Sequence, residues 1–201
     1  KLMLLLLVSE GLERGDWTLD TVIPVTSHAE GMGGTQVQLK AGESWPLGKM
    51  MQAIAVASAN DAAMAVAEAL WGSAEHYLVV ANERAQSLGM KHTVIRGVHG
   101  LPPTDRKSFD ETTARDMATL SLACIKKDEI MALARQKELQ FRPDGPVKAN
   151  TNKLLWRMAD CDGLKTGFIN AAGFCISATA QRNGRRLICV IMGSQSKYGR
   201  F

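Results

Sequence analysis

The 201-residue sequence lacks any apolar stretch long enough to cross a membrane. Its longest unbroken apolar run, residues 2–8 (LMLLLLV), is about a third of the ~20 residues a spanning helix requires. No small-residue cleavage site follows that run, so it does not read as an export signal either. Cys-x-x-Cys spacing and Cys/His clusters are absent. Cys124, Cys161, Cys175 and Cys189 are scattered, as are His28, His76, His92 and His99, so no metal and no cofactor is expected. Strong charge bias is lacking too. Lys and Arg number 24 against 20 Asp and Glu, a net charge of +4, too mild to indicate a nucleic-acid partner. There are no internal repeats, low-complexity tracts or linkers. With 46% apolar and 22% charged residues, disorder and collagen-like repeats are excluded. Acidic residues vanish after Asp162, whereas Lys165, Arg182, Arg185, Arg186, Lys197 and Arg200 follow. Such a segment is either a solvated basic face or a pocket for an anionic group.

What is present suits a chain able to bury a real core. Residues 2–11 read as a helix closed by Gly11, and residues 21–25 and 35–39 as short strands. Residues 47–57 form a helix after Pro46, and residues 61–71 a second one. Between them lies Ser58-Ala59-Asn60, whose Ser and Asn compete for backbone hydrogen bonds and favour a break. Residues 73–88 give a helix closed by Gly89. A capping box at Thr113–Asp116 starts another that runs to about Lys126, and residues 128–135 form a short one. Residues 97–110, with Gly97, Gly100 and Pro102-Pro103, form a loop. Strands are expected over 138–142, 163–169, 174–181 and 186–192. The last two flank Asn183-Gly184, which predicts a type I′ hairpin because both turn positions need positive φ. Cys175 and Cys189, in apolar strand-like runs, read as small core residues, and Trp71 and Trp156 as core aromatics. The order predicts an α+β fold with a largely antiparallel sheet flanked by helices, plus a helical lobe over about 47–135.

Three pieces carry chemistry: Lys1 at the head of an apolar helix, Ser58-Ala59-Asn60 between two helices, and Lys165-Thr166-Gly167 on a strand. Singly each is weak. Ser58 and Asn60 also fit a simple helix break, Lys165-Thr166-Gly167 an exposed strand end, and Arg200 a solvated surface residue. Together and in this order they match the second and third elements of the S-x-x-K, S-x-N, K-T-G set of active-site-serine penicillin-binding proteins and class A β-lactamases. The first element survives only as its lysine. Further blocks follow in order: LKAG at Leu39, ASANDA at Ala57, VHGL at Val98, TARDM at Thr113, NTNKLLW at Asn150 and DGLKTG at Asp162.

Through nearly its whole length the chain resembles the low-molecular-mass penicillin-binding proteins, the serine-type D-alanyl-D-alanine carboxypeptidases. The resemblance implies a β-lactamase/transpeptidase-like fold. It also implies removal of the terminal D-alanine from peptidoglycan stem peptides through an acyl-serine, inhibition by β-lactams, and an extracytoplasmic setting. It implies Lys1 as general base, Ser58 as proton relay, and Asn60 as positioner of the substrate amide and of Lys1. Lys165, Thr166 and Arg200 would take the substrate carboxylate. Gly167 would leave room for a substrate lying along the strand edge, and the Phe168 N–H would contribute to the oxyanion hole. A lysine must be neutral to accept a proton. Burial and a second cation both lower its pKa from about 10.4, and Lys1 facing Lys165 is expected to feel both.

Three departures are visible. The expected nucleophile, three residues before Lys1, is not among the 201. The one formal S-x-x-K match, Ser194 to Lys197, lacks a helix to place both side chains on one face. Ile169 stands where the family usually has Thr, which puts substrate affinity in question. The chain also stops at Phe201, where the family continues into a closing helix and often a second domain and a membrane anchor. The expectation is therefore a single incomplete catalytic domain over 1–201. The rival readings are a class A-like β-lactamase, for which the E-x-x-L-N motif is missing, and a catalytically dead binder of peptidoglycan or of a partner protein.

Overall fold

A computed structural model describes residues 1–102, 105 and 107–201. Of the expected 97–110 loop, Pro103, Thr104 and Arg106 lie outside the described residues. The first element, α1 (Leu2–Arg14), buries Leu2 to Ser9 without a break. It passes straight through Gly11 and ends at Gly15, whose φ of 79° suits the left-handed helix stop. Gly11 serves another purpose. A Cβ there would sit 2.0 Å from the Trp17 ring, and the Trp17 indole donates to the Val8 carbonyl at 2.8 Å. Gly11 is small so that Trp17 can lie against the helix.

Strand β1 (Val22–Pro24), helix α2 (Ser27–Glu30) and strand β2 (Ser44–Pro46) follow, with β1 and β2 antiparallel. Residues 35–39 are not a strand, contrary to the alternating pattern. The backbone N–H groups of Val37 and Leu39, which would have joined a ladder, donate instead to the buried Asp61 carboxylate at 3.1 Å each. Helix α3 (Leu47–Gln52) widens into a π-helical turn over Ala53–Ala57. Then come α4 (Asn60–Trp71), α5 (Ala74–Ser87), α6 (Ala114–Cys124) and α7 (Asp128–Ala134). The Thr113 hydroxyl caps α6 by accepting from the Asp116 N–H at 3.1 Å. The other half of the expected capping box is diverted, since the Asp116 carboxylate accepts from the His92 N–H and the Thr93 hydroxyl, both at 2.8 Å.

A small hairpin, β3 (Glu138–Gln140) with β4 (Val147–Ala149), and the short α8 (Leu154–Arg157) lead into the main sheet. That sheet is β5 (Cys161–Ile169), β6 (Gly173–Arg182) and β7 (Arg185–Ser194), antiparallel throughout and in that order. The β6–β7 turn has φ values of 49° at Asn183 and 75° at Gly184, the hairpin geometry the dipeptide predicts. Helix α6 packs on β6 and β7, α7 packs on β5, and α1 packs against α5, α6 and α7. The fold is α+β, with antiparallel sheets and flanking helices.

Two expectations about the core fail. Cys189 is exposed, because β7 is an edge strand with an open outer face on which Leu187 is 75% exposed, and Cys175, near the start of β6, is only half-buried. Trp156 is also exposed, with the Lys153 amine 4.5 Å from its ring centre, while Trp71 packs edge-on against Trp17 and Tyr77.

Candidate active site

Lys1 stands at the head of α1, above the most apolar part of the core. Its amine donates to the His99 carbonyl at 2.6 Å. Burial pushes its pKa down to about 8, against the opposing pull of the Asp110 carboxylate. The His99 ring is itself held neutral: burial first, then the charge of Lys1, push its pKa down to about 4. Its Nδ1 accepts from the Leu101 N–H at 3.1 Å, a bond that requires an unprotonated nitrogen. His99 thus ties its loop together and supplies a carbonyl, not a proton.

The Ser58-Ala59-Asn60 break is built by the π-helical turn before it. Ser58 closes that turn with a φ of 63°, in the left-handed region that few side chains other than Gly, Asn and Asp occupy. Among the described residues its hydroxyl makes no hydrogen bond. Asn60 opens α4 and is buried. Its N–H donates to the Thr35 carbonyl at 2.7 Å and its side-chain amide to the Gly33 carbonyl at 2.8 Å. A Cβ on Gly34 would lie 2.7 Å from that amide and 3.0 Å from Leu101. The segment around Gly34, the Asn60 amide and the loop bearing His99 therefore meet. Asp61 fastens the same segment through Val37 and Leu39.

On β5, Lys165 is buried and its amine donates to the Thr166 carbonyl at 3.0 Å. Its pKa is pushed well below the ordinary lysine range, chiefly by burial and then by the cations Lys1 and Arg200. The expected repulsion between Lys1 and Lys165 is thus felt at Lys165, whereas the Lys1 amine owes its shift to burial. Thr166, also buried, pairs with Ile176. Nothing lies within 4 Å of where a Gly167 Cβ would be, so internal packing does not require a glycine there. Phe168 is half-exposed and stacks on Phe174, with ring centres 4.1 Å apart. Ile169 ends the strand opposite Gly173.

Arg200 folds back onto the same strand. It donates to the Gly167 carbonyl at 2.9 Å and the Cys175 carbonyl at 3.3 Å. Its guanidinium lies 5.3 Å from the Phe174 ring centre, and its buried Nε has no partner among the described residues. The other arginines of the acid-free segment divide away from the site. Arg182 pairs with Asp160, and Arg186 with Asp162 at 2.8 Å. Lys165 is left between two basic neighbours, Lys1 and Arg200, beside a strand edge. Among the described residues no cluster of His, Cys, Asp and Glu could hold a metal ion. Sequence reasoning missed Asp61 and Asp110, whose carboxylates hold backbone N–H groups remote in sequence, and Gly34, whose missing Cβ leaves room for the remote Asn60 amide.

The family profile described as D-alanyl-D-alanine carboxypeptidase, peptidase family S11, matches residues 1–196. The chain is 33% identical over 199 residues to D-alanyl-D-alanine carboxypeptidase DacF of Bacillus subtilis, covering 98% of this chain and 50% of that protein. It is 34% identical over 169 residues to DacA of Escherichia coli, covering 84% of this chain and 41% of that one. Among solved structures, the D-alanyl-D-alanine carboxypeptidase DacD of Francisella tularensis superposes with a TM-score of 0.92 at 26% identity, over 99% of this chain and 60% of that chain. Penicillin-binding protein 6B of Escherichia coli superposes at 0.90 with 31% identity, over 99% and 63%. The chain spans about half the length, or less, of these two sequence relatives. It has the fold of the low-molecular-mass penicillin-binding proteins and belongs to the D-alanyl-D-alanine carboxypeptidase family.

Proposed function

We propose that the protein is a serine-type carboxypeptidase that removes the terminal D-alanine from peptidoglycan stem peptides, outside the cytoplasmic membrane. The single observation that carries this reading is the convergence of a buried, hydrogen-bonded lysine of lowered pKa with two further basic side chains, Lys165 and Arg200, at a strand edge left open by Gly167. The first property suits a general base, and the second a substrate ending in a carboxylate.

The nucleophile in this reading is a serine one helical turn ahead of Lys1 in the full-length protein, on the face that carries the lysine. Neutral Lys1 takes the serine proton as the oxygen attacks the penultimate D-alanine carbonyl. The tetrahedral oxyanion is met by backbone N–H groups, one of them from Phe168. Ser58 passes the proton to the departing amine, the C–N bond breaks, and D-alanine leaves. Water then hydrolyses the acyl-serine with Lys1 again as base. Asn60 orients the substrate amide, while Lys165, Thr166 and Arg200 take the terminal carboxylate. The Arg200 guanidinium, held against β5 by the Gly167 and Cys175 carbonyls, supports that assignment by bringing a basic group to the strand edge beside Lys165.

A β-lactam presents an amide carbonyl and a carboxylate in the same relation, so it should acylate the same serine. The Listeria monocytogenes penicillin-binding protein D2, solved in an ampicillin-bound form, superposes with a TM-score of 0.85 at 25% identity over 99% of this chain. The direct test is release of D-alanine from a pentapeptide ending in D-Ala-D-Ala by the full-length protein. Release abolished by stoichiometric penicillin is expected. Rapid turnover of a chromogenic β-lactam with no D-alanine release would refute the assignment.

A further inference from the structure

We propose that Asp110 is a positioning residue for the reaction: its carboxylate braces the loop whose His99 carbonyl holds the Lys1 amine. The inference rests on the reading of Lys1 as base and extends it to a residue outside every signature block.

The loop leaves and rejoins the body at the paired residues Val94 and Glu111, whose N–H and carbonyl groups exchange two hydrogen bonds of 2.9 Å. Just inside that neck, one Asp110 oxygen accepts from the N–H groups of both Arg96 and Gly97, at 2.7 and 3.0 Å. Two residues beyond Gly97 is the His99 carbonyl, which accepts from the Lys1 amine at 2.6 Å. Gly100, with a φ of 76°, turns the loop back beside the other Asp110 oxygen, 3.9 Å from its would-be Cβ. One carboxylate thus fixes the entry of the turn, and the turn fixes the acceptor on which the lysine rests.

The same carboxylate acts on Lys1 through space. Among the described residues, three titratable groups share their charge interactions with Lys1: Lys165 from β5, and His99 and Asp110 from the loop; Tyr77 of α5 and Cys124 of α6 lie close behind them, against Asp110 and the start of α1. Burial pushes the Tyr77 hydroxyl up and the Cys124 thiol up to about 12, so both stay neutral. His99 is neutral and Lys165 is a cation or neutral. Of these groups, the Asp110 carboxylate is the one whose charge favours protonated Lys1. Its two effects oppose each other: the hydrogen bonds place the base, while the charge holds the proton on it.

That opposition makes the proposal testable with two variants of the full-length protein, scored by the pH dependence of acylation by labelled penicillin. Asp110→Asn keeps an oxygen acceptor for both N–H groups and removes the charge. Its acid limb is expected to move to lower pH, by roughly half a unit, with a maximal rate within about threefold of wild type. Asp110→Ala removes the brace as well, and its maximal rate is expected to fall by about tenfold or more. A purely structural Asp110 would slow both variants or neither and leave the limb in place, so an unmoved limb in Asp110→Asn overturns the proposal. Should Asp110→Ala fail to fold by circular dichroism, the Asn limb decides alone. A wild-type protein that takes up no penicillin at any pH refutes the functional reading itself, and this proposal with it.

Discussion

Asp61 offers the sharpest link between stability and the site. Its carboxylate is 1% exposed and accepts three backbone N–H groups: Val37 at 3.1 Å, Leu39 at 3.1 Å and Ala62 at 2.9 Å. Val37 and Leu39 belong to a segment that forms no sheet, so this one side chain replaces the ladder that would otherwise satisfy them. Asp61→Ala strands three donors. Each buried orphan costs about 1–3 kcal/mol, and partial relaxation brings the expected loss to about 3–5 kcal/mol. That is a large share of the roughly 5–15 kcal/mol a domain typically has. Asp61→Asn keeps one oxygen but turns an NH2 toward a remaining donor, so about half that loss is expected. Urea unfolding of the full-length protein with matched m-values measures both. The same segment presents the Gly33 and Thr35 carbonyls to Asn60, so penicillin acylation should slow in the Asn variant while the protein is still folded. A loss below about 1 kcal/mol in Asp61→Ala would refute the reasoning, since it would mean water reaches those donors.

Three further outcomes are expected. Lys1 accepts a proton only when neutral, so acylation should rise with pH through a limb near 8; a rate flat from pH 6 to 9, roughly the span a single titration needs, would count against Lys1 as base. Lys165 is held well below the ordinary lysine range while empty, and a bound carboxylate must raise it. Binding of an anionic β-lactam should therefore draw in up to about one proton, detected as a buffer-dependent enthalpy in calorimetry; buffer-independent heats contradict a carboxylate beside Lys165. Gly167→Val meets empty space, so its stability should stay within about 0.5 kcal/mol while penicillin labelling slows about tenfold or more; undiminished labelling would remove Gly167 from the binding edge.

Much of this could be read from residue patterns because it depends on local chemistry. The Asn183-Gly184 hairpin needs only two residues that tolerate positive φ. The burial of α1 follows from an unbroken apolar run, and Ser58 and Asn60 mark the break before α4 by competing for backbone groups. What escaped reading depends on partners distant in sequence. Residues 35–39 alternate like a strand, yet their donors are claimed by Asp61. Gly11 looks like a helix stop, but Trp17 is what requires it, and the stop is Gly15. The basic tail after Asp162 reads as either a solvated face or an anion pocket, and the structure divides it: Arg182 and Arg186 are paired with acids just upstream, while Lys165 and Arg200 reach the site. Asp110 sits in a polar loop with no periodicity at all.

The most direct test of the central reading is the intact mass of the full-length protein after exposure to benzylpenicillin, followed by peptide mapping. One stoichiometric adduct on a serine one helical turn before Lys1 is expected, lost on Lys1→Met and on heating the protein past its unfolding midpoint before exposure. An adduct on Ser58 or Ser194, or none at all from a folded protein, would contradict the placement of Lys1 as the base of an acyl-serine enzyme.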